Sequence, residues 1–280
     1  MARGPRELLR PGARSAALSA ADGAEYAQPT PRLLYVHDDL TDEVARREGA
    51  GSPAAALTRD LLALLARDAE RVRILTVGEQ VERVVAQGDH APFALALGIG
   101  AAGQRVAEAL HARAGWFPRI RRIGLTREED GRGGYRVVST EPGDVRAQLD
   151  GVADQASLAV VDDTVFSGLT MRAVIAALPE AARRRTRAFC LRGVAESIAA
   201  VAALCPITAG VAAPGRRLDD VSFINASGLV RRVAIRRAGQ PPLAFFDRPE
   251  WIRAWFPGVH AEVLAVCARL NALLDGPPSG

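Results

Sequence analysis

The sequence predicts an α/β protein with a mostly parallel sheet covered by helices on both faces. Two observations carry this. Short apolar runs alternate with helical patterns along most of the chain, and several of those runs are apolar throughout, as strands buried on both faces must be.

Taken in order, the stretch "MARGPRELLRPGARSAALSAADGAEYAQPTPR" is rich in Arg, Ala and Ser. It lacks the apolar block of a secretory signal, and Glu7, Asp22 and Glu25 speak against a transit peptide, so residues 1–30 are expected to be a disordered tail. Residues 31–90 hold strand "RLLYV" (32–36), helix "AALTRDLLALLARDA" (55–69), strand "VRILTV" (72–77) and helix "EQVERVVAQ" (79–87), an N-terminal extension. A core over 91–215 follows. Its strands are "FALALGI" (93–99), "YRVVS" (135–139), "SLAVV" (157–161), "RAFCLRGV" (187–194) and "ITAGVA" (207–212). Helices "GQRVAEALHARAG", "LTMRAVIAAL" and "AESIAAVAALC" alternate with them. Residues 216–280 break the alternation: "GLVRRVAIRRAGQPPLAFFD" (228–247) reads as a hairpin, then "RPEWIRAWF" and a final helix at "AEVLAVCARLNALL" complete a cap. No internal repeat is present.

Composition narrows the function classes. A chain of 280 residues with 49% hydrophobic and 24% charged residues is that of an ordinary globular protein, and no apolar run approaches the ~20 residues of a membrane span. All 36 basic residues are arginine, so neither a Schiff-base lysine nor a phosphate-loop lysine can exist here. A net charge of +4 from scattered arginines gives no reason to expect a nucleic-acid partner. Cys190, Cys205 and Cys267 are too widely spaced for a metal knuckle or redox pair, and a reducing cytoplasm is the expected compartment.

The chemistry concentrates in "SLAVVDDTVFSGLT". Strand 157–161 is expected to end at Asp162 and Asp163, with a helix opening near Leu169 or Thr170, which puts both acids at the carboxyl edge of the sheet. Backbone N–H groups of the loop, with Ser167 and Thr170 at a helix N-terminus, favour an anion such as phosphate. The acids suit sugar hydroxyls, or a magnesium ion shared with a substrate.

"LAVVDDTVFSGLT" resembles the diphosphoribosyl-binding signature of the type I phosphoribosyltransferases, which transfer ribosyl phosphate from 5-phospho-α-D-ribosyl 1-diphosphate (PRPP) to an acceptor. The resemblance implies a type I phosphoribosyltransferase-like core, with a hood built from the N-terminal extension and the C-terminal segment. It also implies that Asp162 and Asp163 hold the ribose hydroxyls, as the catalytic pair, and hold Mg2+ mostly through PRPP and water. Thr164, Phe166, Ser167, Gly168, Leu169 and Thr170 would complete the PRPP site. Ala159 and Thr164 replace the larger aliphatics usual there. Phe166 stands where hypoxanthine-type relatives have an aspartate base, and a phenyl ring cannot take a proton.

A second segment, "ALALGIGAAGQRVAEALHAR" (94–113), carries a glycine-rich turn between strand and helix. By the same resemblance, Gly98, Ile99, Gly100, Ala101, Ala102 and Gly103 contact the diphosphate, with Gln104 or Arg105 nearby. "GIGAAG" also fits a dinucleotide fingerprint, but the acid that reading needs at the end of a following strand is not evident. Further on, Arg119, Arg121, Arg122, Arg127, Arg132 and Arg136 crowd a stretch read as a mobile hairpin, and relatives close such a loop over the diphosphate. Arg127 and Arg132 are the expected clamps.

In the cap, Phe223, Phe245, Phe246, Trp251, Trp255 and Phe256 are concentrated, and Phe166, Phe223, Phe246 and Trp251 are the expected acceptor contacts. "VHDDL" (36–40), with His37, Asp38 and Asp39, reads as a polar loop with a helix cap, since three adjacent side chains cannot converge on one ion. Arg183, Arg184, Arg185 and Arg187 are expected to cover a helix C-terminus, and His90, His111 and His260 to be structural. Together these observations imply a phosphoribosyltransferase acting on PRPP and an acceptor, an amine or hydroxyl of a specialised metabolite such as an aminoglycoside. Two alternatives stay open at this level: a nucleobase salvage enzyme, and a PRPP- or nucleotide-binding regulator. A homodimer is compatible with either.

Overall fold

The computed structural model describes residues 30–130 and 134–275; nearly all of the N-terminal tail, and Arg132, lie outside the described residues. The chain enters through β1 (Leu33–Asp38), whose Leu34 and Val36 are fully buried, and passes into α1 (Thr41–Glu48) and α2 (Pro53–Leu65). Ser52 starts α2 by accepting the Ala55 N–H at 3.1 Å, with Pro53 in the first turn where its missing N–H costs nothing. β2 (Val72–Thr76) returns parallel to β1, and the Thr76 side chain accepts the Glu79 N–H at 3.2 Å to open α3 (Val77–Val85).

The core comprises β3 (Leu95–Ile99), α4 (Gly100–Ala114), β4 (Ile120–Ile123), a hairpin of β5 (Leu125–Glu129) and β6 (Tyr135–Ser139), and α5 (Val145–Gln148). It continues with β7 (Leu158–Val165), α6 (Leu169–Ala177), α7 (Glu180–Arg183), β8 (Thr186–Val194), α8 (Ala195–Ala202) and β9 (Ile207–Ala213). Its sheet is parallel throughout, in the order β4-β3-β7-β8-β9. One face is covered by Val81 and Val84 of α3 and Val106 and Leu110 of α4, packed with Trp116, Phe117 and Phe189. On the other, Met171, Val174 and Ile175 of α6 and Val201 of α8 close a second apolar layer. Each such side chain, fully buried, contributes about 1.5–3 kcal/mol.

After the core come β10 (Val221–Asn225), α9 (Ala226–Val230), β11 (Ile235–Arg237), β12 (Gln240–Leu243), a 3₁₀ turn at Phe245–Asp247, α10 (Pro249–Trp255) and α11 (His260–Leu274). β10 lies parallel to β1, giving the order β10-β1-β2, so the N-terminal extension and the C-terminal segment share one small sheet. They share a core as well: Leu34 and Val36 pack with Leu61 of α2 and with Trp251, Trp255 and Leu270. α3, though it lies in the extension, packs on β8, β9 and α4 of the core sheet. No helix among the described residues is long and apolar enough to cross a membrane.

Three expectations are corrected. The strand at 157–161 runs on through the paired acids to Val165, because the longer β8 pairs with it as far as Gly193 while β3 pairs only as far as Val161 and turns into α4. The arginine-rich stretch is not one hairpin: Arg121 and Arg122 lie in β4, an edge strand of the core sheet, and the hairpin proper pairs with β11 in a four-stranded sheet, β12-β11-β5-β6. The C-terminal hairpin spans only β11 and β12, turning at Gly239 with φ +67°, since Gly228 to Val230 belong to α9.

Candidate active site

The termination of β3 beside a longer β7 opens a cleft of about 680 Å³ at the carboxyl edge of the core sheet. It is lined from one side by Asp162, Asp163 and the loop through Thr170, from another by Ile99, Gly100, Ala101 and Ala102, and from the hood by Asp39, Phe223, Asn225 and Ser227. The PRPP-site residues expected from the sequence, Asp162, Asp163, Thr164, Phe166, Ser167, Gly168, Leu169 and Thr170, all lie on its wall. Gly168 adopts φ +69° as the residue before α6 and offers no side-chain cap, and the Leu169 N–H is taken by the Ser167 hydroxyl at 3.3 Å.

The glycine-rich turn divides in two. Ile99, Gly100, Ala101 and Ala102 line the cleft, and α4 likewise begins without a side-chain cap. Gly98 and Gly103 lie beneath it instead. A Cβ on Gly98 would meet the Gln104 backbone at 2.6 Å, and one on Gly103 would meet the Val161 carbonyl oxygen at 2.4 Å. These two glycines therefore let α4 sit directly on β3 and β7, and hold the turn in place without facing a ligand. β4, the strand that follows, ends at Ile123 and Gly124, so the acid required by a dinucleotide reading is absent there.

The cations also sort themselves. Arg119 donates to the Ala94 carbonyl at 2.8 Å, Arg121 to that of Asp150 at 2.9 Å, and Arg136 pairs with Glu128 at 3.0 Å. Arg127 lines the cleft, together with Arg105, Arg122 and Arg236, which come from α4, β4 and β11. Arg122 is ion-paired with Glu141. Of the expected acceptor contacts, Phe166 and Phe223 reach the cleft, but Trp251 and Phe246 do not. Trp251 is 4% exposed in the hood core, 6.1 Å from Phe245 and 5.7 Å from Trp255, and Phe246 lies under the Arg232 guanidinium at 5.2 Å. The hood needs its large rings to fill a small core, which outweighs exposing them. Phe245 takes a cleft position in their place.

A polar network that sequence reasoning missed joins core to hood behind the acids. Arg192 of β8, 0% exposed, donates to Asp163 at 3.2 Å, to the Asn225 amide oxygen at 2.8 Å and to the Gln80 amide oxygen at 3.3 Å. Asn225 in turn donates to Asp163 at 3.3 Å and to Asp39 at 3.5 Å, and Ser227 donates to Asp39 from its N–H at 2.9 Å and its hydroxyl at 2.6 Å. Burial pushes the Asp163 carboxyl up, but the Arg192 guanidinium, the Asn225 amide and the other groups around it together hold it at about 2. Burial and the Asp163 charge push Asp162 well above the usual carboxylate range, and burial raises Asp39. "VHDDL" thus splits three ways: Asp38 accepts the Thr41 N–H at 2.9 Å at the start of α1, His37 turns inward to Gln80 at 2.8 Å, and Asp39 faces the cleft. Only an Arg in an otherwise apolar strand, at "CLRGV", signalled this network in the sequence.

The core is an α/β fold on a five-stranded parallel sheet. Among solved structures, this chain is similar to a purine phosphoribosyltransferase from Pyrococcus horikoshii Ot3, at 17% identity over 52% of this chain and 86% of that one, with a TM-score of 0.35. A Helicobacter pylori xanthine-guanine-hypoxanthine phosphoribosyltransferase matches at 16% identity, covering 52% and 84% with a TM-score of 0.32. Giardia lamblia APRTase complexed with 9-deazaadenine matches at 13% identity, covering 55% and 84% with a TM-score of 0.34. No family model matches the chain, and no curated protein does.

Proposed function

We propose that this protein is a phosphoribosyltransferase that moves the 5-phosphoribosyl group of PRPP to an acceptor and releases diphosphate. The observation that carries the reading is one cleft onto which paired carboxylates and two helix N-termini converge. A phosphorylated sugar diphosphate has the complementary parts: a diol for the acids and an anion at each end for the helices.

In this reading the loop from Phe166 to Thr170 takes the 5-phosphate, and Asp162 and Asp163 accept hydrogen bonds from the ribose hydroxyls. Asp163 is suited to that role because Arg192 keeps it ionised. The backbone at Gly100, Ala101 and Ala102, with Arg127 and Arg105, takes the diphosphate. As the bond from C1 to the diphosphate breaks, negative charge grows on the departing oxygen, and preorganised donors of this kind are each worth on the order of 10²–10³ in rate.

Magnesium fits the donor set. No cluster of three His, Cys, Asp or Glu side chains suited to a metal exists among the described residues, and Asp162 and Asp163 would hold the ion mostly through PRPP oxygens and water. When bound, it would neutralise diphosphate charge.

For the acceptor, Phe166 supplies a wall and no base, and the hood offers Asp39, Asn225 and Ser227 between the rings of Phe223 and Phe245. These polar groups suit an amine or hydroxyl nucleophile, of the kind an aminoglycoside carries, and a nucleobase is the alternative acceptor. Release of diphosphate from PRPP and magnesium, measured across a panel of amines, alcohols and nucleobases, tests the reading. Turnover with an amine or alcohol supports it. Turnover with nucleobases alone moves the protein to the salvage class, and PRPP binding without any turnover moves it to the regulators.

A further inference from the structure

Four carboxylates line the cleft among the described residues: Asp39, Glu141, Asp162 and Asp163. Glu141 is ion-paired with Arg122. Asp163 is tied to Arg192 at 3.2 Å, and Asp162 accepts the Asp163 N–H at 2.8 Å beside it on the same strand. Asp39 differs in origin and in partners. It comes from the hood, just after β1, and the donors holding it are the neutral N–H and hydroxyl of Ser227 and the amide of Asn225, with no cation in hydrogen-bond contact.

The orientation of Asn225 is fixed by chemistry. A guanidinium only donates, so the amide oxygen must face Arg192 at 2.8 Å, and the NH₂ then spans Asp39 and Asp163 at 3.5 and 3.3 Å. One amide therefore sets the spacing between a carboxylate of the core and a carboxylate of the hood, on either side of one cleft. The two are held in opposite electrostatic settings: Asp163 beside a buried cation, Asp39 among neutral donors with its carboxyl raised by burial. Two carboxylates pushed apart in this way divide into a fixed charge and a proton acceptor.

We propose that Asp39 is the general base for the acceptor in the phosphoribosyl transfer described above, a role that rests on that reading. The acceptor's N–H or O–H is directed at the Asp39 carboxylate. As the acceptor's nitrogen or oxygen forms its bond to ribose C1, the bond from C1 to the diphosphate oxygen breaks, its electron pair leaves with the diphosphate, and the acceptor's proton passes to Asp39. The substrate class follows: an acceptor whose nucleophilic atom bears a proton at neutral pH, in place of one already anionic. Phe166, a phenyl ring on the core side, leaves this task to the hood.

The test is steady-state diphosphate release with PRPP, magnesium and the amine, alcohol and nucleobase panel, beside calorimetric titration with PRPP and magnesium. Asp39→Asn should lower kcat by at least 10² and leave PRPP affinity within threefold of wild type. Ser227→Ala guards against a misfolded Asp39 variant. The groups facing Asp39 are Asp163 of β7, Arg192 of β8, and Asn225 and Ser227 of the hood. Removing the Ser227 hydroxyl takes away a donor that favours the charged carboxyl, so the acid limb of kcat/KM should move to higher pH. A merely structural Asp39 would leave that limb in place. An Asp39→Asn enzyme with wild-type kcat, or one that loses PRPP affinity as steeply as kcat, overturns the assignment. Wild type that binds PRPP but turns over no acceptor removes the transfer reading and this one with it.

Discussion

Arg192 and Asp163 form an ion pair of 3.2 Å in which the guanidinium is fully buried and the carboxylate sits at the rim of the cleft. Burial alone would raise this carboxyl, and Arg192 with the neighbouring donors brings it below its ordinary range at the wall of the cleft. The pair also links β7 to β8 and, through Asn225, to the hood.

Arg192→Met should therefore destabilise the fold by about 3–5 kcal/mol, because it strands Asp163 without its cation and leaves two amide oxygens, of Gln80 and Asn225, short of a donor. The urea midpoint reads this. A midpoint equal to wild type would mean that the pair is not formed in solution.

Asp163→Asn should cost stability, because it leaves the buried Arg192 without its counter-charge, and in the folded variant it should weaken PRPP binding at least tenfold, about 1.4 kcal/mol. Calorimetry in magnesium buffer measures it, and an unchanged affinity would remove Asp163 from the ribose site.

His37 should stay neutral in the folded protein. Gln80 gives its amide oxygen to Arg192, so its NH₂ must donate to His37 Nδ1 at 2.8 Å, and a ring nitrogen that accepts carries no proton. Burial, aided by Arg192, pulls the imidazole from its ordinary 6.5 down to about 3. The unfolded chain takes up that proton below pH 6.5 and the folded one does not. The stability His37 contributes is thus complete above 6.5 and lost as pH falls toward 3, by up to about 1.4 kcal/mol per pH unit. Asp39 and Asp162, raised by burial, act in the opposite sense, losing stability as pH rises from 3.8 through their folded values. The difference in pH slope between wild type and His37→Gln isolates the histidine. Parallel slopes would refute a neutral His37.

Phe166 packs with Tyr35, Phe223, Val194, Ala213 and Val221 where core meets hood, while part of its ring lines the cleft. Phe166→Asp would put a charge into that apolar seam, so it should lower stability and raise the acceptor KM, with PRPP affinity changing least. Phe166→Leu should restore stability. If PRPP affinity falls in both variants while acceptor kinetics hold, Phe166 serves the phosphate loop alone.

Gly103→Ala should cost about 1–3 kcal/mol, because its Cβ would fall 2.4 Å from the Val161 carbonyl oxygen and push α4 off the sheet. Gly78→Ala, in α3 with nothing within 4 Å of the added Cβ, should be neutral or stabilising by up to about 1 kcal/mol. Thermal unfolding of the pair distinguishes close packing from a general intolerance of glycine replacement.

The sequence by itself determined the parallel α/β core and the location of the paired acids and the strand-to-helix loop that follows them. Those features are written locally: apolar runs such as "LALGI" and "LAVV" commit to buried strands, and a carboxylate pair followed by a serine, a glycine and an apolar helix commits to a strand-to-helix edge. Tertiary structure decided what depends on partners far along the chain. Only the pairing of β1 with β10 brings Asp39 against Ser227, a separation of 188 residues, and only the alignment of β8 beside β7 puts Arg192 behind Asp163. The same holds for Trp251, a ring that could stack on a ligand or fill a core; the hood's small apolar interior, which α2, α10 and α11 must close together, took it for packing. Local pattern fixes an element's type, whereas the face a side chain presents to a site is set by register between strands, which no short window of sequence contains.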